Sequence, residues 1–163
     1  MDPAGTPFDA QTALRLSKES HITLICGRYE GIDARITEHY VDEQFCMGPY
    51  VLSAGDLPGM CMVDAIVRLL PGALGNAQSA PEDSYSQGLL DTPHYTRPET
   101  HALGKVPAVL TSGDHAAITR WRRMMALGRT WQYQPALLQN RPFSDEDIDL
   151  LSEYIKTAGL DRH

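Results

Sequence analysis

Two glycine-rich stretches, CGRYEGID (26–33) and GPYVLSAGDLPGM (48–60), hold the residues best suited to a small-molecule site. Each follows a short apolar run. Each places glycine where a chain turns sharply or comes close to a ligand. The first sets Arg28, Tyr29 and Glu30 between Gly27 and Gly31. The second leads into a helix with Pro58 in its first turn. Loops of this kind at the ends of buried strands describe a ligand crevice in an α/β sheet. Neither is G-x-G-x-x-G or G-x-x-x-x-G-K-[ST], so dinucleotide and P-loop fingerprints are absent. The six histidines show no metal-ligand spacing, and no G-x-S-x-G elbow marks a serine hydrolase.

A second group of candidates lies further along. Arg120, Arg122, Arg123 and Arg129 fall within ten residues, beside Trp121 and Trp131. Basic and aromatic side chains so interleaved suit a phosphate backbone. The formal net charge of −7 argues against a nucleic-acid partner when taken alone. The acids, however, gather elsewhere, at 38–43 and 145–149.

The elements that must position these residues follow from periodicity and punctuation. Residues 9–20 read as a short helix carrying Ala13, Leu14 and Leu16. HITLIC (21–26) reads as a strand buried on both faces. Residues 32–39 read as a helical turn and 40–45 as a second strand. Asp56 is expected to cap a helix whose buried stripe is Met60, Val63, Val67 and Leu70. Residues 76–84 (NAQSAPEDS) read as a linker. Beyond it, Asp114 caps a helix to about Leu127, with Ile118, Trp121 and Met125 inward and Arg120 and Arg123 opposite. Ser144-x-x-Asp147 signals a capping box for a last helix with the stripe Ile148, Leu151 and Ile155. The three cysteines have no C-x-x-C spacing, which favours reduced thiols. The lack of a signal peptide or long apolar run makes the cytoplasm the expected location.

GRYEGID, MGPYVLSAGDLP, EDSYSQGLLDTPHYTRPE, SGDHAAITRWRR and LGRTW, in this order, resemble the bacterial tRNA (guanine-N1)-methyltransferase family, TrmD, of the SPOUT superfamily. The resemblance runs from about Pro3 to Leu138. It implies an α/β fold: a parallel-sheet, trefoil-knotted donor domain over 1–75, the linker 76–84, and a helical tRNA-binding domain over 85–163. It further implies a homodimer, S-adenosylmethionine as methyl donor, and the guanine 3′-adjacent to the anticodon as acceptor. It leaves a need for Mg²⁺ open. The family's earlier strands and its G-G-G-P-G-M loop have no counterpart in this chain, and Met1 and Asp2 stand where Leu and Ser are expected. The expectation is therefore an N-terminally truncated donor domain, weak or inactive by itself. The alternative is an inactive fragment that keeps RNA or dimer contacts. A nucleotide-binding regulatory domain is a third class, told apart by whether S-adenosylhomocysteine or a nucleoside triphosphate binds.

Carried over residue by residue, the resemblance makes Asp83 the base that takes the guanine N1 proton. From composition alone Asp83 is a solvated linker acid. Arg68 would bind a phosphate or carbonyl of the target nucleotide. The donor would lie against Pro3, Gly27, Tyr29 and Glu30, then Met47, Gly48, Pro49, Tyr50, Val51 and Leu52, with Gly55 and Pro58. Tyr29 could also stack on the target base, and Glu30 accept from a ribose hydroxyl or an amino group. Asp91, His94, Arg97, Arg120 and Arg123 join Tyr29 and Arg68 as RNA-binding candidates. Pro49 replaces an acid of the family and Ala54 a glycine, two departures inside the donor loop.

Overall fold

Asp9 starts the first helix: its carboxylate accepts the Thr12 N–H at 2.8 Å, filling one of the donors a helix start leaves open. The computed structural model describes residues 1–75, 83–139 and 141–159. The chain divides into two units, Met1–Pro81 and Glu82–His163. Most of the expected linker, residues 76–82, lies outside the described residues.

In the first unit, β1 (Thr6–Pro7) is followed by α1 (Ala10–Leu16), α2 (Ala34–Tyr40), β2 (Phe45–Cys46) and α3 (Asp56–Val67). β1 and β2 pair in parallel, Thr6 with Phe45 and Pro7 with Cys46. The unit is thus α/β with a small parallel sheet. Gly5 permits the pairing, since a Cβ there would lie 2.5 Å from the Gln44 and Phe45 backbone. Ala13 and Leu16 of α1 pack with Phe45 and with Met62 and Ile66 of α3. Phe8 meets Phe45 edge-to-face at 6.0 Å.

Three expectations change here. HITLIC is not a strand. It has no ladder partner among the described residues, and Ile22 and Ile25 stay 36% and 38% exposed. Its composition is that of a buried strand, but a strand needs a neighbour for its backbone groups. The nearest tie is the Met1 ammonium, which donates to the Ile25 carbonyl at 3.1 Å. A hollow of about 480 Å³ runs alongside, lined in part by Leu16, Leu24, Tyr40 and Met62. The second expected strand also shrinks: Tyr40 ends α2 and only Phe45 of that run enters β2.

The third change is the face of α3. Its N-cap is Gly55, with Asp56 in the first turn, where a carboxylate suits the positive helix end. Pro58, Gly59, Met62 and Ile66 are buried. The expected stripe faces out instead: Met60 is 66% exposed, Val63 49% and Val67 45%. The helix is apolar nearly all round, so spacing alone could not choose a face. Gly59 chose it, lying so close to Cys26 that a Cβ would meet Sγ at 2.8 Å.

The second unit carries a hairpin that the sequence did not announce, β3 (Thr100–His101) with β4 (Gly104–Lys105), antiparallel. Then come α4 (Ala108–Thr111), α5 (His115–Tyr133), a 3₁₀ turn (Pro135–Leu138) and α6 (Asp145–Thr157). Asp114 caps α5 as expected, accepting the Ala116 and Ala117 N–H groups, both at 3.0 Å. The helix runs six residues past the expected end. Ser144 caps α6 by accepting the Asp147 N–H at 3.1 Å.

α5 and α6 pack through Met124, Leu127, Leu150 and Tyr154, joined by Leu89 and Leu138. Fully burying side chains such as Leu127 and Leu150 contributes about 1.5–3 kcal/mol each. Gly128 sets the register, because a Cβ there would fall 2.1 Å from the Tyr154 ring. The Tyr154 hydroxyl then donates to Gln132 Oε1 at 2.9 Å. Seating Tyr154 over Gly128 turns α6 so that Asp147, Leu150 and Tyr154 face inward. The expected stripe is one position off, and Ile148 is 52% exposed. No helix among the described residues is long and apolar enough to cross a membrane.

Candidate functional site

The two glycine-rich loops of the first unit fold against each other. The Gly31 N–H donates to the Arg28 carbonyl at 3.1 Å and closes a turn. Tyr29 stands at its tip with φ +57° and is 97% exposed. Positive φ at a bulky residue is uncommon and often marks a functional turn. The second loop turns tightly where the Tyr50 N–H donates to the Gly48 carbonyl at 2.9 Å. Pro49 lies between them, at a position that calls for no N–H.

A backbone bridge links Arg28 with Ala54, and the Gly55 N–H donates to the Gly27 carbonyl at 2.8 Å. Gly55 has to be glycine: a Cβ would lie 3.0 Å from both Cys26 Cα and Gly27 N. Ala54 is not among the positive-φ residues, so the loss of a glycine there leaves the loop able to close. Arg28 Nη2 reaches Asp56 Oδ2 at 3.2 Å and ties the first loop to the start of α3.

Between the loops lies a cleft of about 210 Å³. Pro3, Gly27, Tyr29 and Glu30 line it on one side, and Met47, Gly48, Tyr50, Val51 and Leu52 on the other. Gly55 and Pro58 complete its floor. Eleven of the twelve residues expected to face a donor therefore border one cleft. Pro49 alone does not, being turned outward. Sequence reasoning missed Arg28, Cys46, Ser53 and Ala54, which also line it. For Arg28, Ser53 and Ala54 the available signal was their position within the same loops; Cys46 lies at the end of β2.

The cleft offers backbone N–H and carbonyl groups beside apolar Met47, Val51, Leu52 and Pro58. That combination suits the edges and faces of a heterocycle. A whole-ligand site usually measures about 300–1,000 Å³, so this cleft matches part of a nucleoside-sized molecule. Arg68 is not part of it. It is the C-cap residue of α3, about 18 Å along the helix from the loops at 1.5 Å per residue.

The remaining candidates belong to the second unit. Asp83 and Ser84, read from the sequence as linker, are half-buried in a closed loop. Ser84 Oγ accepts the Asp91 N–H at 2.9 Å, and the Tyr85 N–H donates to the Leu89 carbonyl at 2.7 Å. The Asp83 carbonyl accepts from the Ser86 N–H at 3.3 Å. Asp91 meets His94 Nε2 at 2.7 Å. Burial pushes the Asp91 carboxyl up, but His94 and the Thr92 N–H outweigh it and hold it below the usual carboxylate range. Arg97 is exposed.

Arg120 and Arg123 do not point away from the helical core. Arg120 pairs with Glu153 of α6 at 2.6 Å, and Arg123 holds Asp147 through two bonds. Both side chains bridge α5 to α6, Arg123 at the acidic first turn of α6 and Arg120 further along it at Glu153. Arg122 and Arg120 are both exposed, the Arg120 side chain at 52% even in its pair, while that of Arg123 is 31% exposed.

Comparison with known proteins gives one family. The family model for tRNA (Guanine-1)-methyltransferase TrmD matches residues 1–140. The chain is 53% identical over 154 residues to the tRNA (guanine-N(1)-)-methyltransferase of Aromatoleum aromaticum, covering 94% of this chain and 59% of that protein. The enzyme of the same name from Pseudomonas paraeruginosa is 53% identical over 156 residues, 96% of this chain and 62% of its own length. That of Pseudoalteromonas translucida is 52% identical over 163 residues, 98% and 64%. The chain thus spans about three fifths of the length of the curated relatives it matches.

Proposed function

Because the chain belongs to the tRNA (guanine-1)-methyltransferase TrmD family, we propose that it methylates N1 of the guanine 3′-adjacent to the anticodon in tRNA, using S-adenosylmethionine. The observation that carries this reading is the pair of loops pinned by the Gly55–Gly27 bond around one cleft. The relatives' shared name favours an enzyme over an inactive fragment.

In this reading Gly27, Glu30 and the backbone of Met47, Gly48 and 50–52 hold the donor, and Val51, Leu52 and Pro58 cover its apolar edges. Bound there, the sulfonium donor supplies a methyl group ready for displacement. The protein aligns donor and acceptor and removes a proton. Guanine N1 forms the new N–C bond as the C–S bond breaks. The N1 proton passes to the Asp83 carboxylate, and S-adenosylhomocysteine is left. Tyr29 is exposed enough to stack on a base. Arg68, Asp91, His94 and Arg97 are assigned to tRNA, together with Arg120 and the exposed Arg122. Asp147 competes for Arg123, which is given a structural part.

The finer parts of the reading rest on the family: the trefoil knot, a cytoplasmic setting and a homodimer. The apolar outer face of α3, where Leu57 and Met60 are 60% and 66% exposed, supports a covering partner.

The test is labelled-methyl transfer to tRNA transcripts with guanine or adenine after the anticodon. It is run with this chain and with one preceded by the N-terminal portion of a relative. Label at N1 of guanine only is expected. No label from either form would overturn the proposal.

A further inference from the structure

Thr130 has no part in the reaction as proposed, yet it is the only fully buried polar side chain among the described residues, at 0% exposure. It lies on α5, where its hydroxyl donates to the Ala126 carbonyl at 2.6 Å. Its oxygen accepts the Leu90 N–H at 2.8 Å. A buried polar group is retained when it satisfies another. Here the satisfied group is a backbone N–H of the 83–91 loop, forty positions away in sequence. The neighbouring Leu89 is buried in the core.

That loop is a closed unit. Ser86 to Asp83, Tyr85 to Leu89 and Asp91 to Ser84 bind its two arms together. Two other side chains, neither fully buried, also tie it down: Arg129 of α5 and Arg141, which precedes α6. Arg129 Nε donates to the Asp91 carbonyl at 3.2 Å, and Arg141 Nη1 to the Gln87 carbonyl at 2.6 Å. Water can replace a bond near the surface, but not one at Thr130.

We propose that Thr130 is a positioning residue: its hydroxyl oxygen, by holding the Leu90 N–H, fixes the loop that presents Asp83. The inference rests on the reading of Asp83 as the base. Thr130 touches neither substrate nor donor; it acts through the loop.

The experiment compares Thr130→Val, which keeps the shape and loses the acceptor, with Thr130→Ser, which keeps the oxygen. Amide hydrogen exchange is read on the 163-residue chain. In Thr130→Val the Leu90, Tyr85, Ser86 and Asp91 amides are expected to quicken together about tenfold, equivalent to about 1.4 kcal/mol. Thr130→Ser should restore them. Faster exchange at Leu90 alone, or equal behaviour of Val and Ser, would overturn the proposal.

Turnover supplies the second arm, with Asp83→Asn beside the Thr130 variants. Thr130→Val should lower kcat roughly tenfold with KM for the donor unchanged, and Thr130→Ser should recover it. Asp83→Asn with normal kcat sinks the reading of the base. Asp83→Asn inactive and Thr130→Val normal sinks the positioning role alone. Turnover is read on whichever form transfers label, and the exchange pattern on the 163-residue chain decides by itself whether Thr130 holds the loop.

Discussion

Arg123 binds both oxygens of Asp147, Nε to Oδ1 at 2.8 Å and Nη2 to Oδ2 at 2.9 Å. The Asp147 side chain is 8% exposed and that of Arg123 31%. Ser144 and Asp147 make half of a capping box, with Ser144 capping the Asp147 N–H, while the Asp147 carboxylate turns to α5.

This pair predicts an acid-sensitive link between the helices. The Arg123 hydrogen bond, chiefly, holds the Asp147 carboxyl below the usual carboxylate range. A depressed folded value means stability present above the ordinary carboxylate pKa, about 4, and lost as pH falls through the folded value. Arg123→Met should cost about 2 kcal/mol, less than the roughly 3–5 of a fully buried pair, and lower Tm by roughly 10 °C. The acid limb of its stability curve should flatten. A melting temperature unchanged at neutral pH would show the pair to be idle.

The same geometry sorts the arginines by salt dependence. Arg122→Gln should reduce the slope of log affinity for tRNA against log salt by about one. Arg123→Met should lower stability and leave that slope alone. Filter binding across a salt series reads both; a slope change at Arg123 and none at Arg122 would reverse the assignment.

Gly55 tests the donor cleft. Gly55→Ala puts a methyl group against the backbone of Cys26 and Gly27 at 3.0 Å. Overpacking of this kind costs about 1–3 kcal/mol, so S-adenosylhomocysteine affinity should fall roughly tenfold or more by calorimetry. Gly75→Ala is the control, since nothing lies within 4 Å of a Cβ there. Equal binding by both variants would place the donor elsewhere.

Asp83→Asn separates binding from proton removal. The change is nearly isosteric and outside the cleft. S-adenosylhomocysteine affinity should hold while kcat drops about 10²–10⁴-fold. Near-normal kcat would remove Asp83 from the mechanism.

Gly128→Ala probes the seat of Tyr154. The added carbon overlaps the ring at 2.1 Å, so a loss of about 3 kcal/mol is expected. Adding Tyr154→Leu should return part of it. Thermal melting of the two variants decides, and a single Gly128→Ala variant as stable as the parent would refute this packing.

Features that depend only on neighbours along the chain are legible in the residues alone. Asp9, Asp114 and Ser144 were legible as helix starts, because a cap reaches N–H groups only two or three residues on. The two glycine loops were legible as partners, because Gly27 and Gly55 permit close backbone approach. Tertiary structure decided which face of each helix is buried and which arginines meet solvent. α3 is apolar on several sides, and Gly59 against Cys26 chose among them. α6 followed Gly128 and Tyr154 rather than its most apolar stripe, and so carried Asp147 to Arg123. HITLIC has the composition of a strand and lacks the neighbour that would make it one. Thr130 gave no signal at all, since its value lies in one N–H forty residues away. Burial and pairing are set by contacts distant in sequence, and periodicity along one segment carries no information about them.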